Sequence, residues 1–401
     1  MSLESREGRN PRFQETGPEK HNTDNRKVSL RQRIHHFTWA WYTLTMSTGG
    51  MALLLSVTPH RFPGLDTIGA IVYIFDLVLF TCISMAITAR FVMFKGTLFQ
   101  SLTHPTESLF FGTMLLSLAT IICGMQKYGE PNVGGWLVVV LRIVFWIYCA
   151  TTFLVASFQY WRLFDGQHMP ILSMSPAWIL PIFPVMLSGT IANVISPSQP
   201  DIHARDIIVA GVTFQGLGMM VSFLMYSSFI GRLMQSGLPE PNSRPGMFIA
   251  VGPPSFTALA LIGMANSSSV FTASIIETAV VPADVLKIMA LFLAIFLWSL
   301  SLWFFSISLI SVLAVAAKMS FHLSWWSLVF PNIGFTIATI EIGTLLKSEG
   351  ILWLGSVMTV MIVAIWLFVI VAHVHAVTTS KIMYPGKDED KEEEYAGIHQ
   401  E

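Results

Sequence analysis

From residue 37 to residue 378 the chain is a succession of apolar runs divided by short polar connections. About 20 predominantly apolar residues make a helix long enough to cross the hydrocarbon core of a bilayer. Runs of that kind lie at 37–57, 67–94, 108–126, 135–163, 177–196, 206–234, 246–266, 286–316, 325–347 and 351–378. They predict an all-α integral membrane protein of ten transmembrane helices, one domain over residues 35–378 with no soluble domain inserted. Residues 1–34 are polar and poor in aliphatic side chains, which predicts a disordered tail without a cleavable signal peptide. Residues 379–401, with the stretch "GKDEDKEEEYAGIHQE", predict a second, acidic tail.

Helix breakers divide the runs into two kinds. Run one holds Gly49-Gly50, run three Gly112 and Gly124, and run five Pro181, Pro184 and Gly189. Run seven holds Gly252-Pro253-Pro254, and run nine Pro331 and Gly334. Runs two, four, eight and ten have no internal proline, and the glycines of run six suit close helix packing. Proline removes a backbone hydrogen bond and kinks a helix. The freed carbonyl finds no partner in lipid but does find one against protein or water. The odd runs therefore belong inside and the even runs outside, as five helical hairpins in a ring whose bent inner helices surround a central pore. The alternative is a solid bundle in which kinks only adjust packing; interruptions in five alternate runs favour the pore.

Polar side chains agree in part with this division. The inner runs carry Ser47 and Thr48, Thr113, Ser188 and Asn193, Thr257, and Asn332 and Thr336. With Gly49, Gly112, Pro184, Gly252, Pro253 and Pro331 they are the candidate pore lining. Hydroxyls, amides and exposed peptide N–H groups can solvate an anion and still release it, as conduction requires. Asp76, Arg142 and Glu341 are the acids and bases well inside the runs, and such residues are functional candidates by default. Arg142 either serves the pathway or snorkels to the outer surface. Asp76 and Glu341 either pair with Arg142 or sit protonated, and neither shows the partner pattern of a proton relay.

Composition narrows the class. Of 401 residues, 53% are hydrophobic and 12% charged, and mean hydropathy is +0.62. Soluble domains carry about 25% charged residues. Cys82, Cys123 and Cys149 all fall in apolar runs, which argues against a disulfide framework or a zinc site. Arg26, Lys27, Arg31 and Arg33 precede run one and place the N-terminus in the cytosol. Ten crossings return the C-terminus there, beside Lys381 and Lys387. There is no Walker sequence, GxSxG or HExxH, so ATP-driven pumping and the common hydrolase sites are excluded. An intramembrane enzyme would need convergent reactive groups, and a receptor a region outside the membrane that the short loops do not supply. No cofactor, metal or nucleic-acid partner is expected.

"HPTESLFFGT", opening run three, and "WWSLVFPNIGFTIATIEIG" in run nine resemble the tellurite-resistance/dicarboxylate transporter family. That family includes fungal malic acid transporters, fungal sulfite efflux pumps and the slow-type anion channels of plant guard cells. The resemblance covers about residues 30 to 380 and is strongest to the malic acid transporter branch. It implies a homotrimer of independently conducting subunits in the plasma membrane. Each subunit would have quasi-fivefold symmetry and a phenylalanine of run nine plugging the pore. On this chain that gate is Phe330, beside Pro331, with Phe335 as the fallback. The implied cargo is a C4-dicarboxylate such as malate or succinate, with sulfite or a broader anion range as the alternative. A negative cell interior favours export of the dianion down its electrochemical gradient, whereas import would need a proton or a steep gradient. His104 and Glu107 sit at the cytosolic approach to run three, where channel relatives often carry a basic residue. Glu107 instead suits a helix start, where a carboxylate complements the dipole.

Overall fold

The structure is a computed structural model describing residues 29–166, 169–271 and 281–383. Most of the two expected tails, residues 1–28 and 384–401, lies outside the described residues. Leu30–His35 forms a short helix closed by a capping box between Ser29 and Gln32. No strand occurs among the described residues. The long helices are α1 (Tyr42–Val57), α2 (Leu65–Met93), α3 (Phe111–Gly124), α4 (Trp136–Gly166) and α5 (Phe183–Ile195). They continue with α6 (Asp201–Ser236), α7 (Gly252–Asn266), α8 (Pro282–Leu313), α9 (Phe330–Leu345) and α10 (Glu349–Thr378). Among the described residues, eight helical stretches are long and apolar enough to cross a membrane. α1, with 16 residues, and α5, with 13, are not among them.

The prolines act differently from the kinks expected. Each odd-numbered helix follows a 3-10 segment: Trp39–Trp41, Glu107–Phe110, Pro176–Ile179, Pro241–Val251 and Leu323–Leu328. Pro184, Pro253 and Pro331 then stand in the first α-helical turn, so they start helices rather than bend them. A proline there forfeits nothing, because the N–H groups of the first turn have no intrahelical acceptor. Its fixed φ also suits the opening of an α-helix.

α1, α3, α5, α7 and α9 touch in a closed cycle, each packed on the next and α9 on α1. α2, α6, α8 and α10 lie against α1, α5, α7 and α9 respectively. α4 departs from hairpin pairing and leans more on α5 than on α3. There the Tyr148 hydroxyl donates to the Pro184 carbonyl at 3.0 Å. Burial follows the alternation read from the breakers. The most apolar window of Pro241–Asn266 is 94% buried, against 28% for α2, α4, α8 and α10. The outer helices turn large apolar side chains such as Phe292 and Phe296 outward, as a lipid-facing surface requires.

Two glycines set how closely the inner helices approach. A Cβ on Gly334 would stand 2.6 Å from the Phe256 ring, and one on Gly252 would stand 2.6 Å from the Phe183 ring. Overfilling a packed interior costs about 1–3 kcal/mol. Gly334→Ala should therefore melt several degrees below the wild type in a thermal scan of detergent-purified protein. An unchanged midpoint would mean that the rings yield without strain.

Candidate transport path

Two cavities are built from the five odd-numbered units. The first, about 340 Å³, is lined from every 3-10 segment, for instance by Ala40, Phe110, Ala177, Met247 and Ser324. The second, about 190 Å³, is lined by the α-helical parts of the same units. α9 gives it Phe330, Ile333, Ile337 and Glu341, and α7 gives Phe256, Leu259, Gly263 and Asn266. Steps of three and four residues keep one helix face turned to one side, so each stripe is a single face. α5 adds Leu187, Thr190 and Asn193, while α1 adds Gly50 and Leu53.

Phe330 opens α9, just past the 3-10 segment whose Leu323, Ser324 and Ser327 line the first cavity. It lines the second cavity and not the first. Its ring stacks on Phe256 with centroids 5.0 Å apart and lies 6.0 Å from Phe183. On the α1 side it meets Gly50, where a Cβ would come within 3.3 Å of the ring. Side chains of α5, α7 and α9 thus close on one another against bare backbone of α1. Placing Phe330 at the first residue of α9, with Pro331 next, fixes the ring at this level.

Phe335 faces elsewhere. Its ring packs on Trp298 and Phe305 of α8, at 5.4 and 5.6 Å, and lines neither cavity. Several polar candidates are likewise spent on packing between helices. Thr48 accepts from Trp366 of α10 at 3.3 Å, and Thr257 accepts from Gln215 of α6 at 2.9 Å. Thr113 donates to the Trp39 carbonyl at 2.9 Å, and Ser47 to the Trp326 carbonyl at 3.5 Å. Thr336 donates to the Asn332 carbonyl at 2.8 Å, and Asn332 to the Leu328 carbonyl at 2.9 Å. Pro253 accepts from Thr257 at 2.7 Å. Gly112 marks a close approach to the Leu180 carbonyl, Gly49 faces Thr120 and Asp76, and Gly252 lies near Pro331. Ser188 is fully buried outside both cavities. Among the gate, pore-lining and charged candidates named from sequence, Phe330, Asn193 and Glu341 line the second cavity. A hydroxyl inside a helix can bond a carbonyl three or four residues back, so its polarity says little about the face it occupies.

The charged candidates also move. His104 takes the capping role expected of Glu107: its Nδ1 accepts the backbone N–H groups of Thr106 and Glu107 at 3.3 and 3.2 Å. Glu107 instead forms an ion pair with Arg90 of α2, both side chains being 3% exposed. Arg90 also donates to the Phe37 carbonyl at 2.7 Å. This clamp ties α2 and the approach to α1 to the start of α3. Arg142 is half-buried on α4, and among the described residues it forms no ion pair with Asp76 or Glu341. Lys127 lines the second cavity together with Glu341. It sits on a π-helical turn, Met125–Gly129, that continues α3. It stands one residue past the end of run three as read from hydropathy.

The family model described as voltage-dependent anion channel (SLAC1) matches residues 36–374. The chain is 38% identical over 366 residues to the malic acid transport protein of Schizosaccharomyces pombe, spanning 90% of this chain and 83% of that protein. It is 36% identical to a putative malic acid transport protein of the same organism, over 91% of this chain and 85% of that one. It is more distantly similar to the sulfite efflux pump SSU1 of Trichophyton rubrum, 24% identical over 90% of this chain and 98% of that protein. By the extent of these matches, the chain belongs to the voltage-dependent anion channel family, whose members are membrane transporters and channels rather than enzymes.

Proposed function

We propose that the protein passes small carboxylate anions, chiefly C4-dicarboxylates such as malate and succinate, through the two cavities, with Phe330 closing the passage between them. The observation that carries this reading is the position of Phe330, wedged against Phe183, Phe256 and Gly50 at one end of the second cavity. An apolar ring across a narrow path excludes water and raises the barrier to an ion. Phe183, Phe256 and Phe330 stand in the first two turns of α5, α7 and α9, whose positive dipole ends suit an anion. Malate as cargo is supported by the names of the two Schizosaccharomyces pombe relatives.

In this reading the chain crosses the plasma membrane ten times with both termini cytosolic. The 3-10 segments Trp39–Trp41 and Pro176–Ile179 add the length that α1 and α5 lack. Repetition of a 3-10 segment, an inner helix and an outer helix supports quasi-fivefold symmetry. The homotrimer rests on family resemblance, each subunit conducting by itself. Each charge crossing the membrane is worth about 2.3 kcal/mol per 100 mV, so a negative interior drives dianions outward without a coupled ion. The Trichophyton rubrum sulfite pump supports a second reading in which sulfite is the cargo.

Labelled-malate efflux from liposomes, challenged with succinate, sulfite and chloride, separates these. Succinate should compete best; stronger competition by sulfite would move the cargo to the second reading. Lys127 lies exposed at the wall of the second cavity and attracts anions there. Lys127→Gln should lower malate flux severalfold at low ionic strength and much less at high salt, where exposed charges are screened. A loss equal at both salt concentrations would mean that Lys127 acts by packing.

A further inference from the structure

Asp76, in the middle of α2, is fully buried, and neither carboxylate oxygen has a hydrogen-bond partner. It lies just behind the wall of the second cavity. A Cβ added to Gly49 would stand 2.6 Å from Asp76 Oδ2 and would also collide with Thr120, a residue that lines that cavity. Gly49 thus leaves open the space that the acid occupies.

No countercharge faces it. α1 has no charged side chain, and its one titratable group, Tyr42, is bonded to Ser84 at 2.9 Å, two turns along α2. α3 likewise has no charged side chain and offers only the buried thiol of Cys123. Tyr73, on α2 itself, donates its hydroxyl proton to the Ile121 carbonyl at 3.2 Å. The charged residues of α2 lie at its ends, where Asp66 pairs with Arg61 and Arg90 with Glu107. At about 1.5 Å per residue, both are about 15 Å or more along the helix. The short helices packed on α2 are Leu30–His35, whose Arg31 and His35 lie on Phe94 and whose Arg33 donates to the Ser380 hydroxyl at 2.5 Å, and Thr97–Thr103, which has no titratable residue. Beyond Cys123, Tyr128 donates to the Ala52 carbonyl at 2.6 Å, and Lys127 is exposed at the cavity wall.

An isolated carboxylate taken out of water neutralises rather than stay ionised. A metal cation would need several more oxygens, and the Thr120 hydroxyl beside Asp76 already donates to the Ser117 carbonyl at 2.8 Å. A proton needs no further ligand. We propose that Asp76 is a proton-binding site just behind the wall of the second cavity, and that its charge governs anion occupancy there. Protonated, it leaves the cavity open to an anion. Ionised, it sets a negative charge behind the wall and expels one. The second part rests on the proposed anion transport; the first does not.

Two measurements on full-length protein in lipid test the two parts. Infrared difference spectra of wild-type protein at neutral pH should contain the C=O stretch of a protonated carboxylic acid that is missing from Asp76→Asn. The amide is a neutral near-isostere of the protonated acid and is expected to fold. The same band in both proteins, or in neither, overturns the proton site whether or not any anion is carried. In liposomes, wild-type malate efflux should fall roughly tenfold as pH rises through deprotonation of the site, while Asp76→Asn efflux no longer responds to pH. An equal fall in both proteins overturns the link to transport, whereas absence of malate efflux from the wild type at every pH overturns the transport reading itself and leaves the infrared result standing.

Discussion

Phe330→Ala protein in liposomes is expected to release malate at least about tenfold faster than the wild type at rest, per folded molecule. A tenfold change needs only about 1.4 kcal/mol off the barrier. The phenyl ring seals against Phe256, Phe183 and the bare backbone at Gly50. No larger side chain at residue 50 stands ready to replace it. Removing the ring joins the second cavity to the space beyond the aromatic cluster and admits water, which lowers the barrier to the ion. Phe335→Ala is the matched control. It also deletes a buried phenyl ring and should cost about 3–5 kcal/mol of stability, yet its ring packs on Trp298 and Phe305, away from both cavities. Its resting flux should stay near that of the wild type once normalised to folded protein. Equal leak from both variants would show that a loosened core, and not an opened gate, lets malate through.

Breaking the Arg90–Glu107 pair is expected to have the largest effect on stability. Both side chains are 3% exposed, and Arg90 also holds the Phe37 carbonyl. Removing one partner strands a charge in the interior, which costs about 3–5 kcal/mol. Arg90→Ala and Glu107→Ala should each reduce the yield of monodisperse protein sharply and lower its unfolding midpoint. Replacing both residues with apolar side chains of similar volume, Arg90→Met with Glu107→Leu, should recover most of the loss, because no lone charge remains. Single variants with wild-type midpoints would show that water reaches the pair.

The layered architecture was legible because lipid leaves few options for the backbone. Long proline-free runs mark α2, α4, α8 and α10, and those helices are the least buried. Breakers mark the buried odd-numbered units for a reason the sequence alone did not reveal. Pro184, Pro253 and Pro331 are the junctions between a 3-10 entry and an α-helix, and the entries themselves line the first cavity. Hydropathy sees one apolar run where the backbone changes its helix type.

Individual site residues were less legible. Thr48 and Thr257 are polar residues of inner runs, yet both accept hydrogen bonds from outer helices. Helical spacing would have been the better guide. Counting from Phe330 in steps of three and four reaches Ile333, Ile337 and Glu341, all on the second cavity. The same rule places Phe335 on another face. Arg90 could have been noticed as the cation at one end of α2, but nothing in a single sequence pairs it with Glu107 across 17 positions. Lys127 escaped because the π-helical turn carries α3 beyond the point where its apolar run fades.

The proposed function requires that malate itself cross through a path gated by Phe330. Its most direct test is current across a planar bilayer containing purified Phe330→Ala protein, with malate as the sole permeant anion at unequal concentrations on the two sides. The expected result is a current whose reversal potential shifts with the malate gradient and which is larger per channel than that of the wild type. A bilayer that stays at background, or a current whose reversal potential ignores the malate gradient, would contradict it.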